Sequence, residues 1–255
     1  MFALEVRALS KQFGGIRAIE EVGFKVRENA IVSIIGPNGA GKTTLFNCLT
    51  GVTKPTRGAV HLFEKDVTGM PPHCLAELGI ARTFQNIRLF QGMTVMENVM
   101  VSQHCRVRYG ILGAIFRDKG FLRKEATIRA KCLEYLELVG LEDFRDTAAE
   151  SLPYGSQRRL EIARAMATEP GIILLDEPTA GMNPMETSEV MTIIRRIQEL
   201  GKTIILIEHD MKLVMGISEQ VIVLDHGVKI AEGTPEEVRN NPLVIEAYLG
   251  KEAIH

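Results

Sequence analysis

Gly36-Pro37-Asn38-Gly39-Ala40-Gly41-Lys42-Thr43-Thr44 fits the spacing G-x-x-x-x-G-K-[ST], and the chemistry of that spacing is the binding of phosphates. Gly36, Gly39 and Gly41 let the backbone turn its N–H groups inward around an anion. A helix starting at Lys42 adds its own free N–H groups and the positive end of its dipole. Lys42 is expected to reach the β- and γ-phosphates and the Thr43 hydroxyl to bind Mg²⁺, with Pro37, Asn38, Ala40 and Thr44 completing the cradle. Further on, Ile172-Ile173-Leu174-Leu175 run into Asp176 and Glu177. Acids at the C-terminal end of a buried parallel strand lie where open α/β sheets bind their ligands. Asp176 is expected to hold Mg²⁺, directly or through water, and Glu177 to accept a proton from an attacking water.

The surrounding pattern supplies elements to position these groups. Ala30 to Ile35 is a short apolar, β-branched run that reads as a buried strand. Lys42 to Leu49 reads as the helix after the loop, with Leu45, Phe46 and Leu49 on one face. Residues 1–35 alternate as half-buried antiparallel strands do, and residues 58–64 read as another strand. After Phe90 the pattern turns helical. Thr94 and Glu97 fit a capping box, and Glu125 to Leu138 carries Ile128, Cys132, Tyr135 and Leu138 at the spacing of one helix face. Asn183-Pro184 and Thr234-Pro235 are two more helix starts, and Thr203 to Ile207 and Gln220 to Leu224 are intervening strands. The repeated strand-then-helix order predicts an α/β fold with a parallel sheet.

Composition narrows the function classes. A chain of 255 residues with 45% hydrophobic residues can bury one large core, or a core with subdomains. A net charge of −2 with no basic block argues against a nucleic-acid surface as the main business. Cys48, Cys74, Cys105 and Cys132 are scattered without a C-x-x-C pair, which predicts reduced thiols of a cytosolic protein and neither a disulfide framework nor a zinc site. The start, Met1-Phe2-Ala3-Leu4-Glu5, has no secretory pattern, and no apolar run approaches the ~18 residues of a membrane span. Tyr109 to Phe116, followed by Arg117, Lys119, Arg123 and Lys124, is apolar and then basic. It has two readings: a segment docking on a membrane or partner, or a packed helix with a solvated basic end.

The motifs in their order resemble the nucleotide-binding subunits of ATP-binding-cassette (ABC) transporters, over nearly the whole chain. The resemblance implies a P-loop NTPase with a RecA-like parallel-sheet core, an N-terminal antiparallel β subdomain and an inserted α-helical subdomain. Residues 1–85 would hold the β subdomain and the phosphate-loop part of the core, 86–165 the helical subdomain, and 166–255 the rest of the core with a helical tail. It further implies ATP and Mg²⁺ as ligands. Phe13, in Ser10-Lys11-Gln12-Phe13-Gly14, would stack on adenine. Gln85, in Thr83-Phe84-Gln85, would touch Mg²⁺ and the water and relay nucleotide state to the helical subdomain. His209, in Ile207-Glu208-His209-Asp210, would contact the γ-phosphate. Two such subunits would close so that the signature helix of each completes the other's site, with Gly155 and the helix start offering backbone donors.

The signature turn departs from the family pattern. Leu-Ser-Gly-Gly-Gln is usual; this chain has Leu152-Pro153-Tyr154-Gly155-Ser156, and Pro153 has neither hydroxyl nor N–H. Asn183 stands where the family often has Asp. The helix that follows, Gln157 to Ala165, fits well. Ala81 to Phe90, Met93 to Val99, Tyr154 to Ala163, Glu208 to Met215 and Pro242 to Gly250 resemble the LivG-type ATPase subunits of branched-chain amino-acid importers. That resemblance implies a peripheral subunit at the cytoplasmic face of the inner (plasma) membrane. Its partners would be a second ATPase subunit (itself or a sister), two transmembrane permease subunits and, indirectly, an external solute-binding protein. Relatives that import urea or amides use similar ATPases. A non-transport relative acting on nucleic acid, and a module that senses ATP without cleaving it, are the competing classes.

Overall fold

Continuous apolar strands are stable only when both faces are covered, and the computed structural model, which describes residues 1–103 and 119–252 (side chains at 119–122 and 249–252 excepted), covers them. All five residues of β3 (Ile31–Ile35), β7 (Ile172–Asp176) and β8 (Thr203–Ile207) are buried. These strands form the centre of a six-stranded sheet that also contains β6 (Ile80–Arg82), β9 (Gln220–Asp225) and β10 (Val228–Gly233). The order is β10-β9-β3-β8-β7-β6. Every pairing is parallel except that of β10 with β9, so the expected parallel sheet carries one antiparallel edge. A second, antiparallel sheet of order β2-β1-β4-β5 is built from β1 (Phe2–Phe13), β2 (Ile16–Arg27), β4 (Arg57–Leu62) and β5 (Lys65–Asp66).

Side chains alternate across each strand, so the two faces of the large sheet feed different cores. Ile172, Leu174, Ile205 and Ile207 join the small sheet and α1 (Lys42–Leu49) in one cluster. Ile173, Leu175, Ile204 and Leu206 face α3 (Val95–Gln103), α4 (Lys119–Leu138), α5 (Tyr154–Ala167) and α6 (Pro184–Glu199) in another. A smaller cluster around Val221 and Val223 takes in α7 (Met211–Ile217), α8 (Pro235–Arg239) and α9 (Pro242–Glu252) through Val214, Val238 and Val244. α2 (Pro72–Glu77) leads into β6.

The expected elements are present with small differences. The described part of α4 already includes Lys119, ahead of the Glu125 at which the apolar spacing begins. β10 and the short β5 and α2 were not read, because half-buried or very short elements carry little hydrophobic pattern. The β9–β10 hairpin does have a local signal. Its two-residue loop is His226-Gly227, with φ of 45° and 83°, the left-handed pair that a type I′ turn needs. The apolar stretch 109–116 and the basic Arg117 lie outside the described residues, as does Cys105. Among the described residues Cys48, Cys74 and Cys132 are free thiols, burial pushes Cys48 and Cys132 up to about 11, and no helix is long and apolar enough to cross a membrane.

Candidate active site

Strand register brings the chemistry to one edge. Ile34 of β3 pairs with Ile207 of β8, and Ile207 pairs with Asp176 of β7. The glycine loop, Glu177 and His209 therefore leave the sheet side by side. Arg82 pairs with Leu174, which sends Gln85 to the same end. Asn38 to Thr44, Gln85, Glu177 and His209 line one cleft, joined by Arg17, Ala18 and His226, which sequence reasoning missed.

The loop's shape depends on its glycines. At Gly36 (φ 147°) a β-carbon would lie 2.0 Å from the Leu224 carbonyl oxygen, and at Gly41 (φ 98°) one would lie 2.5 Å from that of Ala18. No side chain caps α1, whose N-cap is Gly41, so its first N–H groups are not consumed by a capping oxygen. Lys42 is buried, and its Nζ donates to the carbonyls of Gly36 at 2.7 Å and Pro37 at 2.9 Å. The ammonium is thereby folded against the inside of the loop.

Glu177 and Asp176 are adjacent in sequence but sit in opposite surroundings. Glu177 has a left-handed backbone, φ 48°, a conformation that costs a non-glycine residue about 1–2 kcal/mol. Its N–H donates to the Ile207 carbonyl at 3.0 Å. Its carboxylate meets a His209 ring nitrogen at 2.6 Å through Oε1 and accepts from the Gln85 amide at 3.0 Å through Oε2. Three residues that the motifs nominated separately thus form one hydrogen-bonded cluster. Asp176 points into the protein. Its Oδ2 accepts from Arg82 at 2.7 Å, and both side chains are nearly inaccessible. Arg82 also donates to Asn47 at 2.7 Å and Thr50 at 3.1 Å, and its guanidinium lies over the rings of Phe46 and Phe84. Asp176 is not part of the cleft lining, so the carboxylate expected on Mg²⁺ sits one layer beneath it.

Thr43 and Gln85 line the cleft, and their side chains carry a hydroxyl and an amide oxygen. These are hard oxygen donors, and a Mg²⁺ that keeps waters and takes phosphate oxygens needs few others. Among the described residues no group of three or more His, Cys, Asp and Glu is gathered to hold a metal; a Mg²⁺ at this cleft would complete its shell with water and phosphate oxygens. Phe13 is half-exposed, with Lys11 Nζ 4.8 Å from its ring centroid; its neighbours Ile16 to Ala18, but not its own ring, line the cleft. Gly155 is not on this cleft either. It is buried at the start of α5, where a β-carbon would lie 2.6 Å from Glu186 Oε1.

Glu208 was also missed. It is buried, and it accepts from the Thr179 hydroxyl at 2.7 Å, the Thr179 N–H at 3.2 Å and the His209 N–H at 3.2 Å. Burial pushes its carboxyl above the usual carboxylate range. It holds the turn after Glu177 to the start of the His209 segment. An acid directly after an apolar strand was the available signal, as it was for Asp176.

The pattern of the family described as ABC transporter matches residues 19–180. That described as Branched-chain amino acid ATP-binding cassette transporter matches residues 228–254. The chain is 49% identical over 249 residues to the high-affinity branched-chain amino acid transport ATP-binding protein LivG of Salmonella typhimurium, covering 97% of this chain and 98% of that one. Its fold matches the ADP conformation of MJ1267, an ATP-binding cassette of an ABC transporter, with a TM-score of 0.86 at 33% identity over 98% of this chain and 99% of that one. It also matches the dimeric post-hydrolysis state of the cassette MJ0796 bound to ADP and Pi, with a TM-score of 0.77 at 27% identity over 91% and 98% of the two chains. The glycine loop alone is common to many nucleotide-binding proteins, but a match that runs from the small sheet through Glu177, with identity sustained over nearly the full length, shows that this protein belongs to the ABC transporter family.

Proposed function

We propose that this chain is the ATP-hydrolysing subunit that powers an importer of branched-chain amino acids. The observation that carries the catalytic part is the single carboxylate of Glu177, held between Gln85 and His209 at the mouth of the phosphate loop. The solute rests on likeness to LivG and on the match of the C-terminal segment. A urea or amide importer is the second reading, and the solute never touches this chain in either case.

In the mechanism, ATP lays its phosphates along the N–H groups of Asn38 to Thr44, and adenine stacks on Phe13 from the ring face opposite Lys11. Lys42 exchanges the carbonyls of Gly36 and Pro37 for the β- and γ-phosphate oxygens. Thr43 and Gln85, with Asp176 beneath, would hold Mg²⁺; when bound, that ion neutralises charge on the transferring phosphoryl group. Glu177 accepts the proton of the attacking water, and Gln85 and His209 fix the direction in which its lone pairs point. His209, at the cleft edge, then stabilises the γ-phosphate as negative charge builds on it.

Two subunits close face to face, each start of α5, with Gly155, meeting the other's nucleotide. Pro153 contributes no hydroxyl there, so that contact relies on backbone donors. The membrane partners dock on the far side of the Gln85 loop, in a depression lined by Val52, Leu75, Phe84, Arg88 and Arg164. Docking there would keep the subunit peripheral, at the cytoplasmic face of the inner membrane, with two permease subunits and, across the membrane, a solute-binding protein.

The test is ATPase rate against protein concentration, for the chain alone and mixed with a sister subunit. A rate per molecule that rises with the concentration of the chain alone supports a self-paired dimer, and turnover that appears only on mixing supports a heterodimer. Hydrolysis that is independent of concentration and partner overturns the shared site.

A further inference from the structure

Beside the apolar Leu160, Ile162, Ala163 and Met166 that α5 gives to the core, one stripe of its buried side chains is charged. Arg158, Glu161 and Arg164 follow one another at i, i+3 and i+6, one stripe of the helix. Arg158 and Glu161 are almost wholly buried and pair with each other at 3.3 Å. All three hold the backbone of the Gln85 loop. Arg158 donates to the Phe84 carbonyl at 2.8 Å and to the Gln85 carbonyl. Glu161 accepts from the Arg88 N–H at 2.8 Å, and Arg164 donates to the Arg88 carbonyl. Buried charges are costly unless each is paired and hydrogen-bonded, and here the bonds go to a loop that has no regular structure of its own.

The remaining donors of Arg158 go the other way. Its Nε and Nη2 donate to the Tyr154 hydroxyl at 3.2 and 3.1 Å. Tyr154 is half-exposed in the signature turn, at a position where the family pattern has glycine. Its ring also covers Gly181, where a β-carbon would lie 3.5 Å from ring Cε1. An unbroken series of bonds therefore leads from the exposed signature turn to the catalytic cluster: Tyr154 to Arg158, Arg158 to the Gln85 carbonyl, the Gln85 amide to Glu177, and Glu177 to His209.

We propose that Tyr154 and Arg158 are positioning residues that tie this chain's signature turn to Gln85 and Glu177 of its own site. The proposal rests on the dimeric ATPase reading above and deepens it. Contact of the partner subunit's nucleotide with the signature turn orders the Tyr154 hydroxyl, and Arg158 passes that ordering to the Gln85 backbone. Closure at one site thereby sets the carboxylate of the other. It also accounts for the departure at residue 154: a tyrosine supplies a bond that glycine has no atoms to make.

The experiment compares Tyr154→Phe, Arg158→Lys and the double variant in the full chain, with the sister subunit present if turnover requires it. The quantities are kcat, the KM for ATP, nucleotide affinity and melting temperature. Tyr154→Phe keeps the ring against Gly181 and removes only the hydroxyl, so kcat is expected to fall about 3- to 10-fold, the scale of the two long hydrogen bonds that the hydroxyl accepts, with KM, nucleotide affinity and melting temperature unchanged. Arg158→Lys loses the planar fork and falls further. The double variant is expected to be no slower than Arg158→Lys alone, because both changes cut one series of bonds. Tyr154→Phe turning over within about twofold of wild type, or two losses that multiply as independent sites do, overturns the relay. A kcat loss matched by lost nucleotide affinity or lower melting temperature overturns it too, in favour of a purely structural clasp. If Arg158→Lys fails to fold, Tyr154→Phe decides the matter by itself. Failure of the underlying reading looks different: Glu177→Gln with undiminished turnover removes the catalytic cluster itself.

Discussion

The helix starts of this molecule fall into two kinds. α6 begins with Asn183, whose side chain accepts from the N–H groups of Met185 and Glu186 while Glu186 reaches back to the Asn183 N–H. Thr94 with Glu97 and Thr234 with Glu237 do the same for α3 and α8, and Asp210 caps α7. α1 and α5 have no side-chain cap; their N-caps are Gly41 and Pro153. The short α2, which starts after Pro71, shares that lack. A capped start uses its orphan N–H groups internally. Among the helices of eight or more residues whose starts are described, the two that start uncapped are those with a proposed nucleotide contact, α1 with this chain's own ATP and α5 with the partner's. Leaving the N–H groups unspent costs local stability and retains an anion site.

The two uncapped starts also differ from each other. α1 follows a loop whose glycines are sterically required, whereas α5 follows a proline with φ −54° and ψ 153°, an ordinary extended geometry that serine could equally adopt. The phosphate loop therefore tolerates almost no replacement, while the signature turn is adjustable. This chain has used that latitude at Pro153 and Tyr154.

The comparison can be broken at several points. The largest effect belongs to the cluster that the uncapped loop serves. Glu177→Gln should bind ATP and lose turnover by about 10²–10⁴-fold, the usual range for a general base; single-turnover hydrolysis reads this directly. Gly41→Ser would give α1 the capping hydroxyl that the other helices have. It should nevertheless destabilise the fold by at least about 1–2 kcal/mol, because φ is left-handed and the new β-carbon meets the Ala18 carbonyl. Nucleotide affinity should fall with it, as titration with labelled ATP would register. Asn183→Ala removes a cap of the other kind. Denaturant melts should show a cost of about 1 kcal/mol, with ATP turnover little changed.

The smallest effect concerns Glu208 and is a matter of pH. Its carboxyl titrates above its unfolded value because it is buried, so the folded state holds that proton more tightly. The stability this gives is complete below the unfolded pKa and is lost as pH rises through the folded one. Glu208→Gln has no such loss. The melting temperature of the variant minus that of wild type should therefore be more positive at about pH 8 than at about pH 5. A difference that stays flat with pH would contradict the assignment.

Much of the site was legible because its parts are local. A β-branched run, three glycines and a helix beginning at Lys42 specify a phosphate loop within a few residues, and Asn183-Pro184, Thr234-Pro235 and Thr94 with Glu97 each mark a helix start by the bonds of one turn. Asp176 was legible as an acid at a strand end but not as the partner of Arg82, which is 94 positions away. Phe13 was legible only through the family resemblance, as the ring that would stack on adenine, and nothing in the sequence told that Ile16 to Ala18 would line the cleft while the ring itself did not.

The sequence by itself determined the phosphate loop, most of the strands and helices in their order, and the acids at the end of β7, because each depends on backbone conformation or on periodic burial over a short span; Gln85, His209 and Phe13 came from the family resemblance. Only the tertiary structure decided which of those residues meet. Gln85 reaches Glu177 across 92 positions and Arg158 reaches Gln85 across 73. Those meetings follow from the parallel register of β6, β7 and β8 and from the seating of α5 against the sheet, which are set by packing between distant segments.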